Sequence, residues 1–159
     1  MTKTKPRVSQ RKTSLVRRPR ALRSDACPAC GTTLVEKRAS LRLPVNGEEI
    51  AVSSALHLRC PKCGEIVLRY RDSKRLGEDA IAIYRKKHGL LSADEIRAIR
   101  ERFHFTQADL ARLLRLGANT VSRWEAGRNV QSSAMDMLLR LIRDLPGSID
   151  YLRQRAASA

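Results

Sequence analysis

The feature that most constrains this chain is a duplicated unit, Cys27-Pro-Ala-Cys30-Gly31 and Cys60-Pro-Lys-Cys63-Gly64, whose copies start 33 residues apart. Two residues between cysteines let one tight turn aim both sulfurs at a single ion, and the glycine that follows accepts the positive φ that closes the turn. Two such knuckles supply four thiolates, the tetrahedral donor set of Zn²⁺. With every position filled by protein there is no open place for a water nucleophile, so one structural ion per chain is expected. An iron–sulfur site, a redox dithiol and unligated thiols are the alternatives; duplication of the whole unit favours zinc. His57, three residues before Cys60, is a further candidate ligand, although a histidine on a strand is more often a surface residue. The physical need is clear, because residues 27–75 hold few large apolar side chains, and metal binding in such modules supplies on the order of 10 kcal/mol.

Around the knuckles the pattern is sheet-like. Thr32 to Val35 is a short β-prone run, and Ile50, Val52, Ser54, Leu56 and Leu58 alternate with Ala51, Ser53, Ala55, His57 and Arg59, as in a half-buried strand. Asn46-Gly47 marks the turn before it, Ile66 to Tyr70 is a second strand, and Asp72 to Gly77 reads as a linker. The rest is helical. Glu78 to His88 carries Ile81 and Tyr84 on one face, and Ser92-Ala-Asp-Glu95 is a capping box opening a helix with the stripe Ile96, Ile99 and Phe103. Thr106-Gln-Ala-Asp109 gives another start signal. The expected class is α+β, a small zinc ribbon-like β module followed by an all-α domain. The expected division is a disordered basic arm at 1–26, the CPxCG module at 27–75, a linker helix at 76–90 and a helix-turn-helix domain at 91–155.

Charge points to the partner. The chain carries 32 Lys and Arg against 16 Asp and Glu, a net +16, and residues 1–26 alone hold nine basic residues and one acid. Clustered cations gain free energy by releasing counterions from phosphates, so nucleic acid is the leading partner. The arm has too few large apolar residues to order itself; a solvated tail and an organellar transit peptide are its other readings. No apolar run approaches the roughly 20 residues that cross a bilayer, which predicts a cytoplasmic protein that joins the nucleoid through DNA.

Gln107 to Leu114, the turn Arg115-Leu116-Gly117 and a second helix from Ala118 to Ala126 have helix-turn-helix spacing. Ala111 is small where the second helix must pass, and Leu116 and Val121 fill the angle. The opposite face presents Asn119, Ser122 and Arg123, with Thr120 beside them. Asn suits an adenine edge and Arg a guanine edge, so these four are the candidate base readers. Gln107 at a helix start and Arg128 in the following loop are candidates for phosphate contact. Trp124, the sole tryptophan, is expected in the core. The three histidines, His57, His88 and His104, have no partner at a catalytic spacing, and there is no phosphate-cradling loop or dinucleotide fingerprint, so no enzyme is expected. Met135, Leu138, Leu139, Ile142 and Leu145, then Ile149 and Leu152 beyond Pro146, exceed what one small core needs. That surplus predicts a homodimer through the C-terminal domain and a palindromic double-stranded DNA operator with half-sites about one helical turn apart.

The segment 91–145, with TQADLARLL and NTVSRWEAGRN, resembles the XRE-type, Cro-like helix-turn-helix family. A CPxCG pair directly ahead of it, with GANTVSRWEAG, resembles the MqsA (YgiT-type) zinc-finger/helix-turn-helix antitoxins over about residues 27–155. The resemblance implies a transcriptional repressor that is the antitoxin of a type II toxin–antitoxin pair, with bases read by Asn119 and Arg123. It further implies a structural zinc module that helps grip a ribonuclease toxin, and a dimer made by the C-terminal domain. Arg115 stands where the family usually has a turn glycine, so either Gly117 takes the strained position or Arg115 bears a cost of about 1 kcal/mol. A toxin strand could pair along Ile50 to Leu58. Because residues 27–75 carry a net +4, a strongly basic toxin would need Glu36, Glu48, Glu49 and Glu65 gathered on one face. The rival readings are a free-standing zinc-containing regulator without a toxin and an RNA-associated zinc-ribbon protein.

Overall fold

The computed structural model describes residues 25–157; the basic arm of 1–26 lies almost wholly outside them. A three-stranded antiparallel sheet in the order β1-β2-β3 is followed by six helices. β1 (Val35–Val45) and β2 (Glu48–Arg59) form a long hairpin closed by Asn46 and Gly47, both at positive φ. Two such residues are what a tight two-residue hairpin turn demands. β3 (Ile66–Val67) pairs only with Leu58 and Arg59. The strand expected to continue to Tyr70 stops early, because α1 (Tyr70–Lys87) begins there.

Most of β1 had no counterpart in the sequence reading. Its own alternation, Leu41, Leu43 and Val45 running up to Asn-Gly, was the available signal, but the exposed residues before it masked the pattern. A register shift between Ala39 and Leu41, opposite Ser53-Ser54, kinks the pair. β2 is therefore the middle strand, yet its second side is paired only at Leu58 and Arg59, so that side of Ile50 to His57, the stretch expected to offer an edge, and the outer edge of β1 both lack a strand partner among the described residues.

The stretch 72–77, expected as a linker, is the first half of α1. Gly77 costs such a helix about 1 kcal/mol against Ala, but tertiary packing outweighs propensity. Leu76 and Ala80 are buried against Ile50, Val52 and Ala55, with Tyr84 one turn further along the same face. The ion pairs Lys74–Glu78 and Arg75–Asp79 line its exposed side. At its far end Lys87 and His88 both meet the Glu48 carboxylate beside the hairpin turn. The sheet is thus fastened to one helix along its length.

The helical half comprises α2 (Ala93–Arg102), α3 (Gln107–Leu113), α4 (Thr120–Glu125), α5 (Ser133–Asp144) and α6 (Ser148–Ala157). Capping boxes form at Ser92/Glu95 and Thr106/Asp109 as the sequence predicts. The core gathers Leu91, Ile96, Ile99, Leu110, Ala111, Leu114, Val121, Trp124, Leu139, Ile142 and Ile149. It shares no residue with the sheet core or with a third, smaller core at the knuckles made of Cys27, Leu34, Leu58 and Cys60. Arg115, at φ 55°, takes the left-handed position after α3, while Gly117 stays out of it. The bonds Arg115 N–H to Arg112 O and Leu116 N–H to Ala111 O close the helix end there. No helix among the described residues is long and apolar enough to cross a membrane.

Candidate metal centre and helix-turn-helix surface

Each knuckle is a copy of the other in three dimensions as well. Gly31 and Gly64 hold φ of 74° and 78°, and their N–H groups donate to the Cys27 and Cys60 carbonyls at 2.9 and 3.0 Å. The Cys27 and Cys60 N–H groups reach Thr32 O and Glu65 O in the same way. The two turns face each other, with Cys27 Sγ 3.5 Å from Cys63 Sγ and Cys30 Sγ 3.4 Å from Cys60 Sγ. All four sulfurs lie within 4.8 Å of one another, and none is in a disulfide. A tetrahedral ion at the usual zinc–sulfur distance sets sulfurs about 3.8 Å apart, so the observed spacings bracket such a cage.

Electrostatics agree with the need for a cation. Hydrogen bonding with Thr32, through its hydroxyl and backbone, and with Cys60 draws the Cys30 thiol down to about 6. The Glu65 backbone also favours the Cys63 thiolate, yet crowding by Cys60, burial, and the proximity of Cys27 and Cys30 together push that thiol up to about 12. The crowding at Cys63 is of the kind that a cation held among the sulfurs relieves. His57 is buried rather than on the surface, and its Nδ1 sits 3.0 Å from Ala55 O. Among the described residues the ligating cluster is the four cysteines alone.

In the helical half, α4 packs against α2 and α3. Val121, Trp124 and Glu125 face inward, Asn119 and Arg123 are exposed, and Thr120 and Ser122 are half-buried. Asn119 occupies the cap position of α4 without a side-chain cap bond, so its amide points at no helix donor, and its carbonyl accepts from Ser122 Oγ at 3.0 Å. Arg128 is exposed in the next loop. The Gln107 side-chain amide is engaged within the fold, with Nε2 donating to Glu125 Oε2 at 2.8 Å.

Sequence reasoning missed Glu125, whose side chain is 1% exposed. Arg100 holds it with two bonds of 2.6 and 3.0 Å, and Arg97 adds a third charge at 3.7 Å. A charged residue closing a surface-facing helix gives no periodic signal, and only its partners reveal its place. Burial pushes the carboxyl up, but the hydrogen bonds from Arg100 and Gln107 and the charges of Arg100 and Arg97 outweigh burial, leaving it below the usual range. Asp136 behaves alike, with burial opposed by Arg140, the Leu91 N–H and Gln131.

A folded value below the unfolded one means that these carboxylates stabilise fully above the unfolded values of 4.5 and 3.8. That stability is lost as the pH falls from there through the folded values. Glu125→Ala takes from the largely buried Arg100 guanidinium its buried carboxylate, leaving it the Phe105 carbonyl and the exposed Glu101, and is expected to cost about 3 kcal/mol. Urea titrations at pH 7 and pH 3.5 check this: the gap between wild type and Glu125→Ala narrows at the lower pH.

The acidic residues of the sheet do not gather. Glu36 pairs with Arg69 near one end of the hairpin and Glu48 with Lys87 and His88 at the other.

Residues 23–153 match the family described as the antitoxin component of bacterial toxin–antitoxin systems, MqsA. A 64-residue stretch is 34% identical to Antitoxin HigA-2 of Vibrio cholerae serotype O1, covering 40% of this chain and 62% of that relative. The chain thus spans under two thirds of that relative's length.

Proposed function

Because the chain belongs to the MqsA antitoxin family, we propose that it is a non-enzymatic regulator that neutralises a ribonuclease toxin and represses transcription as a sequence-specific DNA-binding protein. The observation that carries the DNA half is the surface of α4. Asn119 and Arg123 project from one exposed side a helical turn apart, while the inner side is locked by Val121, Trp124 and the Arg100–Glu125–Gln107 network. A six-residue helix held this firmly presents its readers in fixed geometry, with Thr120 and Ser122 beside them and Arg128 on phosphate. Gln107 contributes through its backbone at the start of α3.

The four cysteines hold one structural Zn²⁺, which supplies charge balance and crosslinking and leaves no coordination position for chemistry. The module built on 27–75 and α1 then offers the free edge of β1 to a toxin strand. Lys37, Arg38 and Arg42 on that strand favour a partner edge that is not itself strongly basic. Leu141 on α5, Leu145 at its C-cap and Tyr151 on α6 are exposed large hydrophobic residues, and they supply the contact of a homodimer on a palindromic operator.

Co-expression with the product of the adjacent reading frame tests the antitoxin half. That product alone is expected to arrest growth, with rescue and co-purification when this chain is present. A harmless neighbour, or one that stays toxic and unbound, overturns it in favour of a free-standing regulator.

A further inference from the structure

Arg85 lies on α1, outside the helix-turn-helix, yet it is 3% exposed. Its Nη2 donates to Trp124 O at 3.0 Å and to Asn129 O at 3.1 Å. These carbonyls bracket the exit of α4, where positive charge is favoured, and Trp124 O accepts there from the Gly127 N–H as well. The neighbouring Glu125 carbonyl accepts from Arg97 Nη2 at 3.2 Å. Two arginines, one on α1 and one on α2, therefore close the end of the helix that carries Asn119 and Arg123. The two elements lie close at a second place, since a Cβ built on Gly127, in the same exit, would come within 3.6 Å of the Glu78 side chain of α1.

The other end of the connection is equally fixed. α1 is seated on the sheet by Leu76 and Ala80 and tied to the hairpin through Glu48. The chain leaving α1 is pinned to the helical half, because Arg140 donates to Gly89 O, Gln131 to Leu91 O, and the Leu91 N–H to Asp136. We infer that Arg85 is a positioning residue for α4, and that through it α1 acts as a strut between the sheet and the helix exit at 124–130, so that whatever shifts α1 on the sheet is felt at the surface bearing Asn119 and Arg123. The strut concerns the fold of the chain and stands whether or not that surface reads DNA.

Hydrogen exchange by mass spectrometry on the full chain tests it, because the exit amides are themselves protected by Ala126 N–H to Ser122 O, Gly127 N–H to Trp124 O and Arg128 N–H to Arg123 O. Arg85→Met is expected to speed exchange in 124–130 about tenfold or more, with the α5 amides around Leu139 and Ile142 unchanged. Arg85→Lys keeps the charge but reaches fewer carbonyls, and is expected to restore most of the protection; if Arg85→Met does not fold, Arg85→Lys alone must show a smaller loss confined to 124–130. Unchanged exchange at 124–130, or a loss spread equally over α2, α3 and α5 as simple destabilisation would give, overturns the inference. Binding of both variants to specific and scrambled duplexes separates the two readings: local loss without any DNA preference in the wild type removes the DNA-binding proposal and leaves the strut.

Discussion

Chelation of the proposed zinc, or Cys60→Ser, is expected to open the knuckle end of the sheet while the helical half keeps its fold. The core there consists of Cys27, Leu34, Leu58 and Cys60, with Cys30 and Val67 packed against it. Half of its buried set, Cys27 and Cys60, belongs to the proposed metal site, and what remains cannot offset the entropy of ordering two loops and three strand ends. Loss of a closed zinc site costs on the order of 10 kcal/mol in modules of this kind, more than so small a core retains. Neither the sheet–α1 core nor the helical core contains a cysteine, so far-UV circular dichroism should keep most of its helical signal. Buried Cys27 thiol should meanwhile become reactive to alkylation. Elemental analysis should return one zinc per chain; iron, or no metal with the knuckles still closed, defeats the assignment.

The knuckles and the starts of α2 and α3 were legible because they are local. A CPxCG unit makes its turn from adjacent residues, and the two capping boxes are bonds between positions three apart, so the sequence contains both partners of each interaction. What was not legible depends on partners far along the chain. The first half of α1 resembles a linker until Leu76 and Ala80 are seen against Ile50 and Val52. Gln107 looks free until Glu125, eighteen residues later, takes its amide. His57 looks like a surface residue until it is found inside the sheet module, 2% exposed. Arg85 has no local signal at all. The turn at Arg115 lies between these cases. The sequence leaves two positions for the left-handed residue, and the chain puts it where the α3 terminus closes, accepting a side chain at φ 55° in place of glycine.

Asn119→Ala combined with Arg123→Ala is expected to abolish preference for a specific operator while leaving binding to random duplex largely intact. Neither side chain supports the fold, for both are exposed and Asn119 makes no cap bond, so the double variant should unfold with the wild type. Each base contact of this kind discriminates by about 1–3 kcal/mol. Lost twice in each half of a two-fold complex, they amount to a specificity ratio reduced by about a thousandfold or more. Gln107→Ala behaves differently, since its amide is held by Glu125; it should lower stability before it lowers specificity. Arg128→Ala, as a phosphate contact, should weaken all sequences alike and reduce the slope of log K against log salt by about one per protomer. Competition binding with the upstream sequence of the gene against scrambled DNA, across a salt series, reads all three patterns at once. A double variant that still prefers its operator places the reading surface elsewhere on the chain, and one that loses random-sequence binding as well makes Asn119 and Arg123 anchors of the backbone rather than readers of bases.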